Sequence, residues 1–138
     1  MAAEDWRKPE VLALVLCDQI IRDEQSHKPY LLGVFSVIYA GKFPALHRNS
    51  AMYLAITNGR GKYQTQLRLV FAETEEELMV AEGQIDFRDP LQVFEVSFQL
   101  PPLPLPTPGK YRFDLLCDGM LCGSRSVVAQ QMQERGNT

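Results

Sequence analysis

The sequence is short of the residues that usually announce chemistry or export. In 138 residues it has two histidines, three cysteines and one tryptophan. An odd, sparse set of cysteines (Cys17, Cys117, Cys122) does not make the framework of a disulfide-stapled secreted domain, so reduced thiols in a cytoplasmic protein are the expectation. Basic residues are not in excess, and the formal net charge is −3. A dedicated nucleic-acid binder carries a basic face to neutralise phosphates, so no nucleic-acid partner is expected. Arg48, Arg60, Lys62 and Arg68 lie close in sequence, but a solvated strand face or loop accounts for them more simply. No apolar run approaches the roughly 18 residues that span a bilayer, and no membrane association is expected.

The N-terminal region superficially resembles a lipoprotein signal, with Arg7 and Lys8 before Val11–Leu16 and then Cys17. Its apolar run is shorter than the roughly 7–15 residues of such a segment. Glu4, Asp5 and Glu10 occupy the region that should be positive, and Leu16 stands where a small residue belongs. Residues 11–18 read instead as a first core strand.

What the chain does have is alternation. Met52, Leu54 and Ile56 point one way with Tyr53, Ala55 and Thr57 between them. The same period of two runs through Leu67–Phe71, Phe94–Leu100 and Tyr111–Cys117, the signature of strands buried on one face. About eight strands follow, near 11–18, 30–38, 51–58, 63–72, 78–87, 93–100, 110–117 and 120–129. Asn58-Gly59-Arg60-Gly61 breaks the third from the fourth. Asp118-Gly119 reads as a tight hairpin, because both central residues of that turn need positive φ. It sets Cys117 opposite Met120 and Leu115 opposite Cys122, which makes the two cysteines small core residues in preference to a redox pair.

Three segments read as irregular: Asp18–Pro29, a loop with at most one short helical turn; Ala40–Ser50, a long surface connection; and the charged turn Glu73–Glu77. Pro101–Pro108 cannot be a central strand, since proline does not donate to a ladder. It reads as a crossover between sheets whose leucines turn inward, a better account than a polyproline ligand. Tyr111, opening a strand just after it, resembles a tyrosine corner. The fold class expected is all-β, an immunoglobulin-like antiparallel sandwich of about 7–8 strands without an inter-sheet disulfide. Residues 1–10 form an N-terminal extension, 11–129 one domain, and 130–138 a polar tail expected to fray.

Chemistry is thin. No serine or cysteine stands in a nucleophile motif such as G-x-S-x-G. Cys117 and Cys122 match zinc-ligand spacing poorly. Asn58–Lys62 lacks the full phosphate-loop spacing and is followed by a strand rather than a helix. Asp18, Asp23 and Glu24, with Asp86 and Asp89, would need to converge to hold calcium, and solvated loop charge is the simpler reading. No cofactor, metal or catalytic residue is assigned.

Leu14–Asp18, Tyr30–Phe35, Tyr53–Gly61, Leu67–Val70, Pro108–Phe113 and Asp118-Gly119, taken in order and spacing, resemble an uncharacterised family of small bacterial proteins known as a domain of unknown function. The resemblance implies a single cytoplasmic β-sandwich domain and brings no activity with it. The function expected is therefore a non-enzymatic protein-binding module using loops or a sheet edge. Its candidate surface is the loop set 19–29, 40–50 and 58–62, with Phe43, Leu46, His47, Arg48 and Arg60 as contacts. The partner is an unidentified protein or a second copy paired through sheet edges. The alternative is a small-molecule-, carbohydrate- or metal-binding enzyme domain with a loop site around His27 and His47.

Overall fold

The computed structural model describes residues 6–133. Eleven strands follow one another: β1 (Glu10–Arg22), β2 (Pro29–Val34), β3 (Val37–Ala40), β4 (Ala45–His47), β5 (Ala51–Thr57), β6 (Gly61–Phe71), β7 (Glu76–Phe87), β8 (Phe94–Gln99), β9 (Leu103–Leu105), β10 (Gly109–Cys117) and β11 (Met120–Gln131). They form a four-stranded sheet in the order β2-β1-β5-β8, a five-stranded sheet in the order β3-β11-β10-β6-β7, and a small β4-β9 ribbon. All pairings are antiparallel except β3 with β11, which is parallel. The chain is all-β, as the alternation predicts.

Alternation supplies the core. Leu14 and Leu16 of β1 stand opposite Leu54 and Met52 of β5. These side chains pack with Leu67 and Leu69 of β6, with Tyr111, Phe113 and Leu115 of β10, and with Val127 of β11 in one buried cluster. Each such side chain contributes about 1.5–3 kcal/mol on burial. A one-residue slip of any strand would turn that contribution outward, which fixes the registers.

The proline segment crosses from β8 in one sheet to β10 in the other, and Leu100, Leu103 and Leu105 are buried beneath it. At its end the Tyr111 hydroxyl accepts from the Thr107 N–H at 3.2 Å and donates to the Thr107 carbonyl. Asp118 and Gly119 both take positive φ, 50° and 81°, and Cys117 pairs with Met120 as the turn requires.

Several expectations need correction. The segment near 30–38 is two strands in different sheets, because Phe35 and Ser36 carry the chain from β2 across to β3. Residues 18–22 are strand, not loop; only residues 23–28 turn, with one α-turn from the His27 N–H to the Asp23 carbonyl at 2.9 Å. The connection 40–50 contains β4, whose partner β9 lies inside the proline segment. Pro104 is tolerated there because a two-stranded ribbon leaves its nitrogen free of any central ladder. Strand resumes at Glu76, within the charged turn. A bulge between Leu115 and Leu116 puts Leu115 opposite Gly123 rather than Cys122. β11 continues two residues beyond the expected domain end, to Gln131.

Candidate interaction surfaces

The strand registers decide which loops meet. Cys17 pairs with Ala51 at one end of β5, and Glu10 with Thr57 at the other. The connection 40–50 therefore lies at the first end, while β1 runs on past Ala51 and Arg22 ties its turn 23–28 to Ser97 of β8. The loop 58–60 lies at the other, about 20 Å away along β5. Phe43, Leu46, His47 and Arg48 share one end, while Arg60 sits at the opposite end. Arg48 is likewise separated from Arg60 and Lys62, and Arg68 pairs with Glu77 at 3.7 Å. The four basic residues do not form a single patch.

Within the first group, Phe43 packs against the core and Leu46 is exposed beside Pro104. His47 is half-buried, with its ring edge-on to Phe35 at a centroid distance of 5.7 Å, and its Nε2 has no partner. Burial pushes its pKa down, and Asp18 opposes that shift. His27 is exposed in the β1–β2 turn with φ 60°, and its carbonyl accepts from Arg22. His47 packs on Phe35, just past the end of β2, whereas His27 just precedes its start, so the strand lies between the two histidines. Among the described residues no cluster of three or more histidine, cysteine, aspartate or glutamate side chains could hold a metal ion.

The far end is tied down by aromatic and polar contacts. Trp6 donates from Nε1 to Asp118 at 2.9 Å and stacks edge-on against Tyr63 at 6.1 Å. The Tyr63 hydroxyl accepts from the Arg60 N–H at 2.8 Å and donates to the Arg7 carbonyl at 2.6 Å. The backbone of this loop is therefore fixed, which leaves only side chains such as that of Arg60 free to engage.

A surface that residue-by-residue reading missed is the edge strand β2. Its outward face presents Tyr30, Leu32 and Val34, which are 53%, 43% and 56% exposed. Exposed Ile21 lies opposite Tyr30 and extends the stripe onto β1. Among the described residues β2 pairs only with β1, and it carries no charged side chain. Edge strands are ordinarily blunted by charge, and this one is not. The alternation Tyr30–Leu32–Val34 was visible in sequence; its position at an edge was not.

The fold and these surfaces define an all-β protein of packed sheets that exposes a stripe of apolar residues on one edge strand. No helix among the described residues is long and apolar enough to cross a membrane. The chain belongs to the family of unknown function DUF6941, whose sequence model matches residues 12–129. None of the curated proteins matches it. Among solved structures it is similar to Pseudomonas fluorescens alkylpurine DNA glycosylase AlkC bound to DNA containing an abasic site analog. That likeness has a TM-score of 0.46 and 10% identity, over 89% of this chain and 30% of that chain. The chain thus spans under a third of that structure, and the likeness carries no functional argument.

Proposed function

We propose that the protein is a non-enzymatic, cytoplasmic protein-binding module of immunoglobulin-like architecture, and that β2 is its principal contact. The immunoglobulin-like assignment is supported by the order β3-β11-β10-β6-β7, with a parallel strand at its edge, and by the Tyr111–Thr107 hydrogen bonds. The observation that carries the binding reading is the bare apolar edge of β2. Antiparallel pairing of β2 with β2 of a second copy would meet no like charges and would join two stripes of Tyr30, Leu32 and Val34.

Leu32→Glu is the test, because it puts a charge at the middle of the edge without entering the core. Sedimentation equilibrium is expected to give a dimer for the native chain and a monomer for the variant. If the native chain is monomeric, it is expected to retain a protein partner that Leu32→Glu loses. Retention of the same partner by both chains, with loss on replacing Leu46 and Arg48, would move the contact to the loops. Association that survives both sets of substitutions would overturn the proposal.

A further inference from the structure

The chain passes between the two large sheets at several points, and one of these passages aligns their edges. Phe35 and Ser36 carry the chain from β2, the edge of the four-stranded sheet, to β3, the edge of the five-stranded one. Counted from that shared side, the four-stranded sheet ends at β8 while the opposite sheet continues by one more strand, β7. β7 therefore overhangs. Among the described residues β8 pairs only with β5, and β7 pairs in its ladder only with β6. Half the backbone N–H and C=O groups of β8 point away from β5 with no ladder to join, and such groups are strong, directional binding sites.

The overhang leaves an apolar slot of about 260 Å³ between the sheets. Phe94, Val96 and Phe98 of β8 line one wall, and Ala81, Gly83 and Ile85 of β7 the other. The slot opens where two inward positions of β7, Ala81 and Gly83, are small. Gly83 stands opposite Thr65, and a Cβ there would already lie 3.1 Å from the Thr65 hydroxyl. Glycine inside a strand commonly marks close approach of another backbone. β9 lies against β7 beyond the end of β8, and Phe87 packs against Phe94 at 6.3 Å at the other end. What remains open is the long side, parallel to the strands.

We propose that this slot binds an extended segment of a partner protein, which adds to the free edge of β8 as a fifth strand and seats alternate apolar side chains over Ala81 and Gly83. The vacancy has the shape of a strand: a free ladder along six residues of β8 beside a trough for every second side chain. On the outer face β8 presents Glu95 and Ser97, held by Tyr53 and Arg22 at 2.8 and 2.7 Å. The segment is therefore apolar at alternate positions and polar between them, like β8 itself. This inference rests on the protein-binding reading but uses the edge opposite β2, so the two can fail separately.

The experiment uses the full chain and a capped hexapeptide of alternating valine and threonine, followed by backbone amide NMR and hydrogen exchange. The peptide is expected to shift the amides of Phe94–Gln99, to slow exchange at alternate ones, and to leave β2 unchanged. N-methylation of the peptide at alternate residues removes its donors and should weaken binding by about tenfold or more. Gly83→Val fills the trough and should lose the same factor; if it does not fold, Ala81→Leu plugs the neighbouring position. Undisturbed β8 amides, or unchanged affinity in a folded plugged variant, would overturn the proposal. Equal binding of the N-methylated peptide would also overturn it, since the slot would then take apolar molecules rather than strands. Slowed β8 exchange that rises with protein concentration and a dimeric mass would assign the slot to a second copy instead. Leu32→Glu should leave peptide binding intact, so failure of the peptide with Leu32-dependent association preserved sinks this inference alone.

Discussion

Arg112 holds the carboxylate of Asp114 in a fork, Nε to Oδ1 at 2.7 Å and Nη2 to Oδ2 at 2.9 Å. The same guanidinium takes Glu75 at 3.0 and 2.8 Å, and Ser124 donates to Asp114 Oδ1 at 2.7 Å. Asp114 is only 2% exposed, although it lies on the outer face of the five-stranded sheet. The neighbours that cover it are the ones that bond it, so removing one leaves a desolvated charge rather than merely a missing contact. Arg112→Met is expected to cost about 3 kcal/mol in urea denaturation, since breaking a buried pair strands its partner. Adding Asp114→Leu should recover most of that loss, because an apolar pair needs no compensation. A double variant no more stable than the single one would contradict this account.

The same cluster sets an acid limit. Burial pushes the Asp114 carboxyl up, but hydrogen bonds from Arg112 and Ser124 outweigh it and hold the group below its ordinary range. Glu75 is likewise held low by Arg112. A carboxylate whose folded pKa lies below its unfolded one contributes stability that is complete above the unfolded value. That contribution is lost as pH falls through the folded value. Thermal stability should therefore be insensitive to these groups near neutrality and should fall as pH drops below about 4. The fall should be shallower in Arg112→Met, where the depression is gone. Parallel acid profiles for the two proteins would remove the cluster from the explanation.

The cysteines are expected to differ in reactivity, as their surroundings dictate. Burial pushes the Cys17 thiol up, with the Gln19 carbonyl and Asp18 as smaller influences. Burial also pushes the Cys117 thiol well up, and Cys122 adds to it. Cys122 is only partly buried. Since the thiolate is the reactive form, Ellman's reagent at about pH 8 should label a single thiol quickly, and peptide mapping should place it at Cys122. Cys17 and Cys117 should react only on unfolding. Rapid labelling of three thiols in the folded chain would show that the hairpin and the β1–β5 contact open far more readily than their packing implies.

How far the sequence speaks for the structure is clearest in the strands. Period-two alternation located the strands that build both large sheets, because each has one buried face. It ran straight through Phe35–Ser36, where the chain changes sheets and the nearest turn residue is Gly33, still inside β2. It hid β4 and β9, which are short and carry Pro104 where a ladder donor would stand. The crossover leucines and the Asp118-Gly119 turn were legible because their local chemistry admits few alternatives. The surfaces were not legible, since exposure depends on strand order, and strand order is a property of pairings far apart in sequence. That Arg60 lies away from Arg48, or that β7 overhangs β8, follows only from the registers of β5 and of both sheets. The small residues Ala81 and Gly83 were on view throughout. Without a facing strand to compare them with, they had no meaning.

Gly59 shows the same dependence at one residue. Its φ is not in the left-handed region, so no backbone strain requires glycine there; a turn signal is all the sequence conveys. The requirement is steric: a Cβ at 59 would stand inside van der Waals distance of the Phe87 ring. Phe87 cannot easily yield, because it is buried edge-on to Tyr63 at 5.9 Å and packs against Phe94 at 6.3 Å. Gly59→Ala should cost about 1–3 kcal/mol by forcing the ring off its rotamer, the usual scale of overpacking. Shrinking the obstacle should rescue it: Phe87→Leu alone leaves a gap and destabilises, and in the Gly59→Ala background the two losses should add to less than their sum. Additive losses in denaturant titrations would mean that the methyl and the ring do not meet. The glycine would then serve the loop's geometry alone.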